Sequence, residues 1–352
     1  MVHGSIRIGL LTPGAGPAGI WTPSAQASAV LAVAEINETG GLLGRQVELI
    51  LGNGGSTARE AASAALDLVE LDEVQAIVAL LPSFARWPVS KAIDSRIPFV
   101  YTPQFEGFES DPSVVTVGET SEELLRPGIA WLGEHKNASR YYLLGNDYIW
   151  PRSTLATARR LIRGMGGAVV GERILPFGFS DYEPLLEEIR RSGADVVMPY
   201  LLGYEALGFD RAFVEAGLDH HVLRFTSAID ETVLCALGPD CTQNLYVTSA
   251  YFSSLRSRNN DAFLERYHGS FGTCPPPTNG FGQSCYEGIH CLAGLASASG
   301  ALDPNDIQRR VGRAMQERTA RGYDSTAVAG APKPVHLATV DGIEFRVIER
   351  IT

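Results

Sequence analysis

The sequence predicts an α/β chain folded into two lobes, each built on a parallel sheet flanked by helices. Three observations carry that prediction. Short apolar runs of strand length alternate with segments of helical spacing through most of the chain. The first run leads straight into a Pro/Gly-rich loop, as a buried parallel strand does where its sheet ends. At 352 residues the chain exceeds what one core comfortably organises, so two domains are expected.

In order, the predicted elements begin with a strand over 6–11 and the loop 12–23. Helical spacing over 25–37 follows, with Ser24 or Thr22 as N-cap candidates, and Gly40, Gly41 and Gly44 stop it. A strand at 47–51, a helix at 58–72, a strand at 76–81 and a short helix at 87–94 come next. Strands at 98–101 and 114–117 and a helix at 124–134 close the first series. The second series runs strand 140–145, helix 153–165, strand 168–175, helix 182–192, strand 195–200, helix 206–216 and strand 222–227. Helix 231–237, strand 245–250 and helices 260–267, 286–298 and 303–318 are expected beyond it. The tail, 335–351, reads as a hairpin turning at Asp341-Gly342. Such alternation implies right-handed crossovers, with ligands bound beyond the carboxyl ends of the strands. The expected lobes are 6–118 plus 251–321, and 119–250 plus 322–352, with more than one crossing between them.

Composition excludes several classes. Hydrophobic residues make up 45% and charged residues 20%, which is ordinary for a globular protein. A net charge of −11 without clustered Lys/Arg argues against direct binding to nucleic acid or to an anionic membrane. The first residues show neither the basic start nor the apolar stretch of a secretory leader. The five cysteines, an odd number, fit a reducing compartment better than an oxidising one. The expectation is therefore a cytoplasmic protein. The alternative is a periplasmic or otherwise extracytoplasmic one whose leader was removed, with Cys235 and Cys241 close enough in sequence to pair.

No catalytic or cofactor motif appears. There is no Gly-x-Ser-x-Gly elbow and no Walker loop. The glycines from Gly9 to Gly16 do not have dinucleotide spacing, and Pro13 and Pro17 remove backbone donors that such a loop needs. The cysteine spacings match no zinc signature, and His220-His221 reads as a solvated turn. No enzyme, no cofactor and no metal site is expected.

Residues 31–49 run from an apolar helix closing on Glu35 and Asn37, through Gly40-Gly41-Leu42-Leu43-Gly44-Arg45, into a strand. This pattern resembles the branched-chain amino acid and amide binding proteins, within the type I periplasmic binding proteins. Three further blocks are similar to their amide- and urea-binding branch. They are 101–109 (Tyr-Thr-Pro-Gln-Phe-Glu-Gly-Phe-Glu), 145–152 (Gly-Asn-Asp-Tyr-Ile-Trp-Pro-Arg) and 250–254 (Ala-Tyr-Phe-Ser-Ser). That branch includes a cytoplasmic sensor controlling an amidase operon and the urea-binding components of ABC transporters. The resemblance covers residues from about 6 to 255.

The resemblance implies a ligand in the cleft between the lobes. It places the hydroxyl of Ser83 on the ligand, together with the loop Tyr101, Thr102, Pro103 and Gln104. Tyr148 and Trp150 would close from the second lobe, Trp150 standing where the amide sensor usually has a tyrosine. Tyr251 falls near a lobe crossing. Asp230 or Glu231 sits where amino-acid-binding relatives place an acid for the ligand's ammonium, although Asp230 also suits the start of a helix. Glu106 and Glu109 read as braces of their loop. The implied function is a receptor for a short aliphatic amide or urea, acting as a sensor of amide metabolism read by a regulatory protein. The alternative is the capture component of an ABC transporter for urea, amides or branched-chain amino acids, read by a permease. A second copy of the chain is a further candidate partner.

Overall fold

The computed structural model describes residues 4–352 and divides into two units. The first comprises residues up to Gln104, Phe108–Gly118 and Arg256–Lys333; the second comprises Phe105–Gly107, Glu119–Leu255 and Pro334–Thr352.

The first unit holds β1 (Ile6–Thr12), α1 (Thr22–Glu38), β2 (Val47–Asn53), α2 (Ala58–Glu70), β3 (Ala76–Ala79), α3 (Ser83–Ile93), β4 (Phe99–Tyr101) and β5 (Val114–Thr116). Its strands pair in the order β2-β1-β3-β4-β5, all parallel. Ile6, Ile8, Leu10 and all of Ala76–Ala79 are wholly buried, as strands covered on both faces must be. Helix α2 starts where Thr57 and Glu60 form a reciprocal capping box. Pro82 precedes α3, which therefore begins at Ser83, four residues earlier than the sequence suggests.

The second unit holds α4 (Ser121–Lys136), β6 (Arg140–Asn146), α5 (Ile149–Gly164), β7 (Ala168–Leu175), α6 (Tyr182–Ser192), β8 (Val196–Tyr200), α7 (Tyr204–Glu215), β9 (Leu223–Thr226), α8 (Glu231–Leu237) and β10 (Leu245–Ser249). The chain then returns to the first unit through α9 (Arg258–Phe271), α10 (Gly280–Ser299), α11 (Pro304–Gln308) and the two-residue strands β11 (Met315–Gln316) and β12 (Ala327–Val328). Strands β13 (His336–Asp341) and β14 (Glu344–Arg350) finish the second sheet as the expected hairpin. Its order is β14-β13-β10-β9-β8-β6-β7, parallel from β10 to β7 and antiparallel at the hairpin edge. Each unit is thus a sheet flanked by helices.

Four further details differ from the sequence reading. The first is that Phe105–Gly107 belong to the second unit, where Phe105 N donates to Glu119 O at 2.9 Å and Phe105 O accepts from Ser121 N at 2.8 Å. Tyr251–Leu255 belong to the second unit because Ser253 N donates to Glu231 at 2.6 Å and the Phe252 ring packs on Phe345 at 4.7 Å. Residues 322–333 belong to the first, held by Asn259 Nδ2 on the Asp324 carbonyl and by Lys333 3.9 Å from the buried Glu287. The helix expected over 303–318 ends at Gln308. Gly312 takes a positive φ of 73° and donates to Ala329 O, which turns the chain into the β11–β12 pair.

Each unit buries charge in a fixed arrangement. In the second, Arg224 on β9 is fully buried and donates to Asp210 Oδ1 on α7 at 2.6 Å and to Gln243 O at 2.8 Å. In the first, Glu35 on α1 receives Tyr286 at 2.7 Å and His290 at 3.0 Å from α10, with Arg266 also donating to it. Burial raises the Glu35 carboxyl, but hydrogen bonds from His290, Tyr286 and Arg266 outweigh burial and hold it at about 2.

Candidate functional site

Parallel order brings the carboxyl ends of neighbouring strands to one rim of each sheet, and the loops that leave them carry the residues singled out in the sequence. In the first unit β3 and β4 are neighbours, so Ser83 and the loop 101–104 leave adjacent strand ends. Ser83 is the first residue of α3, where the helix presents the positive end of its dipole. Its Oγ lies 3.4 Å from Tyr101 Oη, and Tyr101 Oη donates to Leu81 O at 2.7 Å. Tyr101 is wholly buried beneath Arg86, whose guanidinium sits 5.1 Å over the ring and pairs with Glu109 at 2.8 Å. Glu109 therefore ties the loop to α3. Thr102 directs its hydroxyl inward, donating to Ala79 O at 3.1 Å. Gly118 has to be glycine, since a Cβ there would stand 2.0 Å from Pro103 O. Gln104 is partly exposed at the end of the same loop.

In the second unit the order β10-β9-β8-β6 sets four strand ends in a row. Tyr251 follows β10, Asp230 and Glu231 follow β9, Tyr200 ends β8, and Tyr148 and Trp150 follow β6. The rings form a connected wall. Tyr148 lies 6.3 Å from Trp150 and stacks on Phe177 at 5.6 Å, while Trp150 meets Tyr200 edge-on at 5.5 Å. Tyr148 and Trp150 are both buried. Trp150 Nε1 and Asn146 Nδ2 are buried donors that meet no acceptor among the described residues. The other end of Asn146 is fixed, its Oδ1 accepting from Leu202 N at 2.8 Å.

Asp230 and Glu231 divide two tasks. Asp230 caps α8, its Oδ1 accepting from Val233 N at 3.1 Å. Glu231 is a buried carboxyl whose Oε1 accepts from Ser253 N, which joins the β9 loop to the segment beyond Tyr251. Burial, reinforced by the neighbouring Asp230 charge, pushes Glu231 up to about 8.

The sequence reading missed Arg86, Asn146, Phe177 and Tyr200. Tyr200 carried a usable signal, as an aromatic closing a predicted strand. Asn146 lay inside a quoted block. Phe177 and Arg86 had none, because only the fold brings them onto Tyr148 and Tyr101.

A family model described as periplasmic binding protein matches residues 5–340. The chain belongs to the periplasmic binding protein family. The Leu/Ile/Val-binding protein BraC3 of Rhizobium johnstonii is 25% identical over 321 residues, 87% of this chain and 83% of that one. Leu/Ile/Val-binding protein homolog 6 of Brucella melitensis is 30% identical over 139 residues, 38% of this chain, and the match spans about a third of that relative, 35%. Among solved structures, a solute binding protein from Rhodopseudomonas palustris in complex with p-hydroxybenzoic acid superposes with a TM-score of 0.87. Its identity is 21%, with 99% of this chain and 96% of that one covered. The branched-chain amino acid transporter substrate binding protein LivJ of Streptococcus pneumoniae, in complex with isoleucine, gives 0.83 at 18% identity, covering 98% and 99%. At these identities the structural likeness speaks for the fold.

Membership in this family bears out the expected two-lobed type I fold and the absence of an enzymatic role, since the relatives are binding proteins. It corrects the cytoplasmic placement, because the periplasmic binding proteins work outside the cytoplasm. That placement leaned on the first residues and on an odd thiol count, and neither is tied to where this fold works. The five cysteines are free thiols, Cys235 and Cys241 included. Among the described residues no helix is long and apolar enough to cross a membrane, and no group of His, Cys, Asp or Glu is arranged to hold a metal ion.

Proposed function

We propose that the chain is the substrate-binding component of an ABC transporter and that its ligand is an amino acid with an apolar side chain. The observation that carries this reading is the buried acid pair Asp230–Glu231 in the same row of strand ends as Tyr148, Trp150, Tyr200 and Tyr251. Two carboxyl groups buried side by side suit a ligand cation, which a neutral amide or urea does not supply. The ring wall suits an apolar side chain, and the donors Trp150 Nε1 and Asn146 Nδ2 suit a ligand acceptor. The start of α3 at Ser83, taken by itself in the first unit, is also suited to an anionic group. The names of the relatives, given for leucine, isoleucine and valine, support the same class. A membrane permease is then the protein partner.

Ser83 contributes one hydroxyl to this scheme. Ser83→Ala is expected to weaken amino-acid binding by about 1–2 kcal/mol, roughly five- to thirtyfold, with an unchanged circular dichroism spectrum. Calorimetric affinity equal to that of the parent would remove Ser83 from the site.

Glu231 supplies a second, independent test. Its folded value of about 8 lies above the ordinary carboxyl value of 4.5, so the ligand-free fold keeps a proton that the unfolded chain releases. That contribution to stability is fully present below 4.5 and is lost as pH rises through about 8. The local slope is on the order of 1 kcal/mol per pH unit, and Glu231→Gln should remove it. A bound ammonium calls for the ionised carboxylate, so binding at neutral pH should expel close to one proton. Calorimetry in phosphate and in Tris reads this directly: heats that differ with the buffer's ionisation enthalpy support the ammonium contact, and heats independent of buffer contradict it.

A further inference from the structure

We propose that Glu287 is a positioning residue that anchors the first-unit ends of the three main connections between the units. Besides the short excursion of Phe105–Gly107, the chain passes between the units after Gly118, after Leu255 and after Lys333. Such connections absorb any motion of one unit against the other, so whatever fixes their ends governs how freely they yield. In sequence these ends lie far apart. Within the first unit they converge on one carboxylate of α10.

Glu287 is wholly buried, so its carboxylate needs a set of donors to replace water. One comes from its own helix, Gln283 Nε2 at 2.7 Å, one turn earlier. The segment beyond α11 supplies Gln316 Nε2 and Thr319 Oγ1, with Ala320 N at 3.2 Å. Lys333 Nζ brings a positive charge 3.9 Å from Oε2. Lys333 is the last residue before the third crossing, so that connection is tied to Glu287 directly.

The other two connections are tied through the buried Arg321. Its Nε donates at 2.7 Å to Gln283 Oε1, the same amide whose nitrogen holds Glu287. Its Nη1 reaches Val117 O at 3.4 Å, beside Gly118 at the first crossing. The Arg321 carbonyl accepts from Asn259 Nδ2 at 2.9 Å, in the first turn of α9 just past the second crossing. Thr319 Oγ1 accepts from Arg321 N at 3.0 Å while donating to Glu287, which links the Arg321 backbone to the same carboxylate. Each arm of this network leads to one connection, and all of them lead back to Glu287.

Hydrogen–deuterium exchange of the full chain, followed amide by amide by NMR, tests this. The reporters are Val117 N on Tyr101 O at 3.0 Å, Asp261 N on Ser257 O at 2.9 Å and Ala331 N on Val328 O at 3.1 Å, one near each crossing. Ile77 N on Pro98 O at 2.9 Å, within the sheet, is the control. Glu287→Gln should speed exchange at all three reporters at least tenfold and leave Ile77 at the parent rate. Gln283→Met cuts the arm through the Arg321 side chain and should speed Val117 without Ala331. Lys333→Met should speed Ala331 without Val117, and Lys333→Arg should return it to the parent rate. These arm variants carry the test if Glu287→Gln does not fold. Loosening confined to residues 316–320 in Glu287→Gln, an arm variant whose own reporter keeps the parent rate, or one that frees both reporters alike would overturn the proposal.

Discussion

Arg224→Ala should lower the stability of the second unit by roughly 3–5 kcal/mol, a fall in its melting temperature on the order of 10 °C. Arg224 and Asp210 are both fully buried and bonded at 2.6 Å, so removing the guanidinium strands a carboxylate where water does not reach it. The Gln243 carbonyl loses its donor in the same change, and the Phe213 ring loses the guanidinium stacked 5.3 Å from its centre. The contrast that makes the prediction specific is the double replacement Asp210→Ala with Arg224→Met. With both charges gone no carboxylate is stranded, and most of the loss should be recovered. Denaturant midpoints for the single and double variants check this. A single variant as stable as the parent would mean that the pair is solvated and that the packing described around β9 and α7 is wrong.

Asp230→Asn combined with Glu231→Gln should weaken amino-acid binding by about 2–5 kcal/mol, roughly thirtyfold to several thousandfold. The replacements keep shape and remove charge, so a buried ammonium would face two neutral amides. Folding should survive, because an asparagine at position 230 can still accept from Val233 N and cap α8. Losing two buried carboxyl groups should also leave the ligand-free protein as stable at pH 8 as the parent, or more so. Intact folding with affinity for an amino acid unchanged would exclude the acid pair from the site.

Most of the fold was legible because each strand announces itself alone. Ala76–Ala79 is apolar throughout and Ile6–Thr12 is apolar apart from Arg7 and Thr12, since helices cover both faces, and the turn at Asp341-Gly342 fixes the terminal hairpin. What could not be read locally was set by long-range contacts. The break after Gln308 depends on Gly312 pairing with Ala329, and the assignment of Tyr251–Leu255 depends on Glu231 and Phe345. The site divides the same way. Residues at strand ends could be picked from the sequence, whereas Phe177 against Tyr148 and Arg86 over Tyr101 exist only once the sheets form. The choice between an amide and an amino acid as ligand was not legible, because the acids at 230 and 231 suit both a ligand's ammonium and an ordinary helix start. Only in the fold does Glu231 emerge as a buried carboxyl, after β9 in the row of strand ends.

Calorimetric titration of the purified protein with leucine, isoleucine, valine and phenylalanine, and in parallel with acetamide, urea and 4-hydroxybenzoate, tests the central claim most directly. At least one amino acid should bind one to one with micromolar or tighter affinity, while the amide, urea and the aromatic acid give no heat beyond dilution. Tight binding of acetamide, urea or 4-hydroxybenzoate with all four amino acids inert would contradict it.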